Sequence, residues 1–201
     1  MDLQAQFGNI DIYLFDQLLR GRIAPGMRVL DAGCGGGRNL VYLLREGFDV
    51  HAVDEDPHAI SYVREMAAVL APALPQAQIG VDAVERMSFP DASFDVVISN
   101  AVLHFARDDA HFEAMVREMW RVVKSGGLLF ARLVSSIGMG VDALEQISGR
   151  HFVLPDGTTR YVVDEEQLMA LTGALRGELL DPLKTTVVQQ QRCMTTWVVG
   201  K

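Results

Sequence analysis

Two rhythms of apolar residues run along this chain. Between residues 9 and 22, Ile10, Ile12, Tyr13, Leu14, Phe15, Leu18 and Leu19 fall at the spacing of one helical face, and Gly21 marks the stop. From Met27 onward, short apolar runs alternate with segments of helical period. The runs predict strands over 27–32, 49–54, 77–81, 94–100, 127–134, 178–187 and 190–199, and the helical segments predict helices over 37–46, 57–70, 109–124 and 164–174. Such alternation specifies an α/β fold: a seven-stranded, mostly parallel sheet with helices on both faces. The last two strands follow each other without a helix, which predicts an antiparallel hairpin at one edge. Asp164 is placed to N-cap the last helix, with Gln167 at the capping-box position. Residues 135–163 break the rhythm, with turn signals at Ser135-Ser136, Gly138, Gly140, Gly149 and Pro155-Asp156-Gly157. No repeat or long linker intervenes, so residues 1–201 read as a single domain. Residues 1–24 are expected to form a helical cover, and 135–163 an irregular insertion near the active site.

The densest chemical signal is Val29-Leu30-Asp31-Ala32-Gly33-Cys34-Gly35-Gly36-Gly37-Arg38-Asn39, an apolar strand feeding into a glycine-rich turn and then a helix. Glycines there let a ligand approach the backbone where side chains would block it. The spacing is Gly33-x-Gly35-x-Gly37. A dinucleotide fingerprint would place a glycine at position 38, which is Arg38. The turn therefore speaks against NAD and towards a different adenosine cofactor.

Composition narrows the partners. A net charge of −8 disfavours a nucleic-acid backbone, which needs a basic surface. No apolar run approaches the ~20 residues of a membrane span. Met1-Asp2-Leu3-Gln4 shows no basic region followed by an apolar core, so no secretory signal is expected. Cys34 and Cys193 then read as reduced thiols of a cytoplasmic protein, and two cysteines alone cannot build a structural zinc site. No metal is expected.

The glycine segment resembles the first motif of class I S-adenosylmethionine-dependent methyltransferases, whose sheet is Rossmann-like. The resemblance covers residues 27–134 well and the two ends loosely. Gly37-Arg38-Asn39 is similar, more narrowly, to the tellurite-resistance and thiopurine-type small-molecule branch. What the resemblance implies is a cofactor, S-adenosylmethionine, leaving as S-adenosylhomocysteine, laid along the carboxyl ends of the strands. Asp31 would help hold its amino group, unless it merely caps the turn. Gly33, Cys34, Gly35, Gly37 and Asn39 would lie against its methionine and ribose part. Asp54 ends the second strand about 20 residues past the first glycine, the position of a ribose ligand, and Glu55 would sit at the adenine edge. Asp82, with the Ala83 backbone, would meet the adenine amino group. The backbone around Asn100 would meet the methionine half. Asp95, at the start of its strand, reads as structural. Ser125 stands where the family's turn before the fifth strand usually has proline.

A sulfonium methyl is already activated, so the enzyme must place a nucleophile in line with the sulfur–methyl bond and exclude water. A soft or anionic nucleophile needs no base; a hydroxyl or protonated amine does. His104, four residues past Asn100, is the candidate base, and equally a wall residue. His58 and His111 read as solvated, and His151 as able to reach the site from the irregular segment. Arg38, Arg150, Arg160 and Arg192 are the cations that could line a pocket, and a guanidinium fork suits an oxyanion or carboxylate. Tyr13 and Phe15 either cover the site or pack in the core. The function expected is methyl transfer to a small-molecule acceptor. A non-catalytic cofactor-binding regulator and a nucleotide-dependent oxidoreductase are the alternatives.

Overall fold

The computed structural model describes residues 2–139 and 144–201, so Gly140 lies outside the described residues. In chain order the elements are α1 (Leu3–Phe7), α2 (Ile12–Leu19), β1 (Arg28–Ala32), α3 (Val41–Arg45), β2 (Asp49–Asp54), α4 (Pro57–Leu70), β3 (Ile79–Val81), β4 (Phe94–Asn100), α5 (Asp109–Val122) and β5 (Val123–Val134). There follow β6 (Glu145–Ser148), β7 (His151–Val153), β8 (Thr159–Tyr161), α6 (Glu165–Ala174), β9 (Glu178–Leu179), β10 (Lys184–Val188) and β11 (Arg192–Gly200). The main sheet runs β10-β11-β5-β4-β1-β2-β3, with the short β9 paired to β11. β1 through β5 are parallel; β11 is antiparallel to both β5 and β10. The chain leaves β1 towards β2 and β3, then returns to β4 on its other side. That reversal opens a crevice at the carboxyl ends of β1 and β4.

The central strands are apolar along their middles because both faces are buried. Leu30, Val97 and Leu129 point into one core with Phe112, Met119 and Trp120 of α5 and Leu168 of α6. Their neighbours Val29, Val96, Ile98 and Phe130 point into the other, with Leu14 of α2, Leu43 of α3 and Val63 of α4. A sheet buried on both faces has no polar face to alternate.

Four expectations need correction. The helix predicted from 37 begins only at Val41, because Gly37 has φ +70° and residues 38–40 continue the turn. The strand predicted over 178–187 is broken: β9 ends at Leu179 and β10 starts at Lys184. Between them Pro182 can donate no ladder hydrogen bond. The segment 135–163 contains a small antiparallel sheet, β6-β7-β8. At α6 the capping box is half formed: Asp164 accepts from Gln167 N–H at 2.8 Å, but the Gln167 amide donates to Tyr161 Oη at 2.7 Å instead of turning back. The hairpin stands as expected, turning through Gln189 and Gln190, both at positive φ. None of the described helices is long and apolar enough to cross a membrane.

Candidate active site

The glycine turn is built by the backbone of its neighbours. Gly33 N–H and Cys34 N–H both donate to Val53 O, at 2.8 and 2.9 Å, which pins the turn to the end of β2. Asp54, the next residue, accepts from Gly35 N–H through Oδ2 at 2.8 Å and from Asp56 N–H through Oδ1 at 3.0 Å. The three spaced glycines have different duties. A Cβ on Gly33 would meet Val102 at 2.6 Å, and one on Gly37 would meet Met66 at 2.6 Å, so both are needed for close packing. A Cβ on Gly35 would meet nothing within 4 Å. Gly35 faces open space.

That space is a cavity of about 660 Å³ lined by Gly33, Cys34, Gly35, Gly36, Arg38, Asn39, Asp54, Glu55 and Asn100, together with Val84, Glu85, Ala101, Val102, Phe105, Arg107, His111 and Met115. The nine sequence-predicted binding residues besides Asp54 and Glu55 divide between the lining and its surroundings. Gly33, Cys34, Gly35, Asn39 and Asn100 line the cavity; Gly37 does not. Asp31 is 2% exposed, and among the described residues its Oδ2 has no hydrogen-bond partner. Asn100 Oδ1 accepts from Arg38 at 2.8 Å, while its Nδ2 is buried and unpartnered. Asp82 and Ala83 lie outside the cavity lining, and Asp82 accepts from Ser88 N–H at 2.6 Å. Ala101, just beyond β4, holds φ +64°, an uncommon conformation for a residue with a Cβ.

The titratable groups are strongly perturbed here. Burial pushes the Asp31 carboxyl up to about 7; the Arg38 charge opposes this and the Asp54 charge adds to it. Burial, with the Asp31 and Asp54 charges, pushes the Cys34 thiol up, so it is no thiolate nucleophile. His104 sits in a short 3-10 turn, Leu103–Phe105, at 6% exposure and outside the cavity lining. Burial, then the Arg160 charge, brings it down to about 4, and its Nδ1 is unpartnered. It is neutral at neutral pH and a weak base.

Among the other candidates, His58 is exposed as expected. His111 corrects its expectation: it lines the cavity with its side chain only 12% exposed, taking Arg107 N–H on Nδ1 at 3.0 Å and facing Glu85 with Nε2 at 3.3 Å. His151 Nε2 meets Ala106 O at 2.9 Å, which ties β7 to the turn after His104. Arg150 pairs with Asp164 and Arg192 is exposed, while Arg160 lies over Phe105. Tyr13 bonds Thr186 at 2.6 Å and Phe15 packs on Phe7; neither lines the cavity. Asp95 accepts from Arg28 N–H at 2.7 Å and from Lys124 at 2.9 Å, a structural acid.

Sequence reasoning missed Asp11. It N-caps α2 through Tyr13 N–H at 2.9 Å, donates its own N–H to Asn39 Oδ1 at 3.0 Å, and pairs with Arg132 at 2.7 Å and Arg38 at 3.4 Å. The N-terminal helix is thereby clasped to the glycine turn. The available signals were an acid just before a helical apolar run and Arg132 standing alone in the apolar run of β5.

Residues 30–131 match the methyltransferase domain family. The chain is 32% identical over 188 residues to the ubiquinone biosynthesis O-methyltransferase of Methylocella silvestris, covering 83% of this chain and 68% of that protein. It is 36% identical over 126 residues to the 2-methyl-6-phytyl-1,4-hydroquinone methyltransferase of Synechocystis, covering 62% of this chain but only 34% of that one. The fold resembles an S-adenosylmethionine-dependent methyltransferase from Methanosarcina mazei, with TM-score 0.71 at 20% identity over 92% of this chain and 96% of the other. It also resembles the 1,6-didemethyltoxoflavin-N1-methyltransferase of Burkholderia thailandensis bound to S-adenosylhomocysteine, with TM-score 0.67 at 17% identity over 98% and 80%.

Proposed function

Because the chain belongs to the class I S-adenosylmethionine-dependent methyltransferases, we propose that it methylates a small-molecule acceptor in the cavity beside Gly35. The observation that carries this reading is the Gly35 cradle: a backbone edge that any Cβ would obstruct, held by the Asp54 carboxylate and open to the cavity.

The residues present fit the cofactor. Asp54 keeps free lone pairs on both oxygens for ribose hydroxyls, and an ionised acceptor strengthens each bond. Glu55 stands next to it on the wall. Asp31 Oδ2 and Asn100 Nδ2 are a buried acceptor and a buried donor without partners among the described residues, which suits an ammonium and a carboxylate. Asp82 and Ala83 lie outside the lining and adjoin Val84, which belongs to it. When bound, S-adenosylmethionine supplies an electrophilic methyl group. The chain's own part is to bind, orient and exclude water.

His104, buried outside the lining and held neutral, is a poor general base, which favours an acceptor that is already nucleophilic. A chalcogen oxyanion, a thiol or another small metabolite meets that condition, in keeping with the tellurite-resistance and thiopurine-type resemblance. That resemblance rests on Gly37-Arg38-Asn39, and here Arg38 and Asn39 both engage Asp11, so the trio would also seat the cover helix. The net charge of −8 continues to disfavour nucleic acid. The test is transfer of a labelled methyl group from S-adenosylmethionine to small chalcogen and thiol acceptors, beside RNA, DNA and cell protein. Label mainly in a macromolecule, or no S-adenosylhomocysteine binding by calorimetry, would overturn the reading.

A further inference from the structure

Arg160 stands on β8, which the small sheet brings against the turn that carries Phe105. Its guanidinium carbon lies 4.8 Å from the Phe105 ring centroid, and Phe105 lines the cavity while 60% exposed. The platform is firmly held. Tyr161, the next residue, stacks on Phe112 and donates to Asp109 at 2.7 Å, and His151 ties β7 to Ala106. Arg160 itself lies outside the lining, on the Phe105 ring; the lining arginines and Arg132 have carboxylate partners, Arg38 and Arg132 on Asp11 and Arg107 on Glu85. Among the described residues Arg160 has no ion pair; Nη1 donates only to the adjacent Thr159 O. Asp156 is near enough to feel its charge, but that carboxylate takes two hydrogen bonds from Thr158. A second observation comes from His104 beside the same ring. Its imidazole is 94% buried outside the lining, and among the described residues its Nδ1 has no hydrogen-bond partner.

We propose that Arg160 receives the methyl acceptor, and that the acceptor is a planar molecule bearing a carboxylate, which rests on the methyltransferase reading above and names its substrate class. The fork of a guanidinium takes a carboxylate through two parallel hydrogen bonds, a geometry that a neutral amide matches poorly. The exposed part of the Phe105 ring offers the planar body an apolar surface at the cavity wall. The Arg160 charge also reaches the neighbouring His104 imidazole, which it helps hold neutral.

The test titrates benzoate, and benzamide as its uncharged counterpart, into the protein saturated with S-adenosylhomocysteine. The wild type is expected to bind benzoate at least tenfold more tightly than benzamide. Arg160→Gln should bring that ratio within twofold, and Arg160→Lys should keep about threefold. S-adenosylhomocysteine affinity should stay within twofold in both variants, and the His104 ionisation, followed by NMR, should rise in Arg160→Gln. A general loss of structure would lower the affinity for the cofactor product as well, so the selective change distinguishes a binding role. Lack of a benzoate preference in the wild type, or its survival in Arg160→Gln, would overturn the proposal and leave the methyltransferase reading standing. Failure of the wild type to bind S-adenosylhomocysteine would overturn both.

Discussion

Asp31→Asn is expected to stabilise the fold at neutral pH while weakening cofactor binding. Burial pushes the Asp31 carboxyl from an ordinary 3.8 up to about 7. Between those values the folded chain keeps a proton that the unfolded chain has released. Stability therefore falls as pH rises from about 4 to about 7, and the whole deficit is present above 7. A separation of about three pH units, at 1.36 kcal/mol each, gives an upper limit of about 4 kcal/mol; relaxation around a residue beside a cavity lowers this to about 2–4 kcal/mol. For a chain of this size that corresponds to roughly 5–15 °C in Tm. Asparagine has the same shape, no charge and no such deficit. Thermal unfolding of both proteins from pH 4 to 8.5 should show equal Tm values at the acid end and a growing advantage for the variant above pH 5. Calorimetry at pH 6.5 in buffers of different ionisation enthalpy should show proton release when the wild type binds S-adenosylhomocysteine, because the ligand's ammonium favours the ionised carboxyl. The variant should bind more weakly and release none. A Tm difference that does not change with pH, or a variant less stable than the wild type at pH 8, would refute the reasoning.

Further outcomes follow from the geometry. Asp54→Ala removes a charged acceptor and the Gly35 tether, and should weaken S-adenosylhomocysteine binding by about 1–3 kcal/mol with little change in Tm; unchanged affinity would reduce Asp54 to a turn acid. Gly35→Val should abolish that binding while the chain still folds with a modest loss in Tm, since the new side chain enters open space but strains a φ of +48°, whereas Gly37→Ala should show itself mainly as a lower Tm through its contact with Met66. Asp11→Ala leaves Arg132 without its partner and should cost about 3 kcal/mol in denaturant unfolding; a loss under 1 kcal/mol would mean that the clasp is weak. His104 should titrate by NMR near 4, so the methyl-transfer rate should show no histidine step between pH 6 and 8 that is lost in His104→Ala; a value near 6.5 would restore it as a general base.

The chain's local pattern determined most of the fold. α4 over Pro57–Leu70 and β4 over Phe94–Asn100 coincide with their sequence expectation because their periods and stop signals are complete within the segment. The glycine turn, the Asp54 carboxylate at the end of β2 and Asn100 at the end of β4 were legible for the same reason: strand ends in an open parallel sheet converge wherever the strands are placed. What tertiary structure decided is everything that depends on distant partners. The strands of β6–β8 are three or four residues long, too short for periodicity to register; they pair through their own ladders, and Tyr161 and His151 tie them to α5 and the turn after β4. His111 reads as a solvated helix residue until α5 is laid across the cavity. Asp11 gains its meaning from Arg132, 121 residues away in sequence. The ionisations of Asp31 and His104 are also set by burial and by the neighbouring Arg38 and Arg160, and no run of residues encodes the dielectric around a carboxyl or an imidazole.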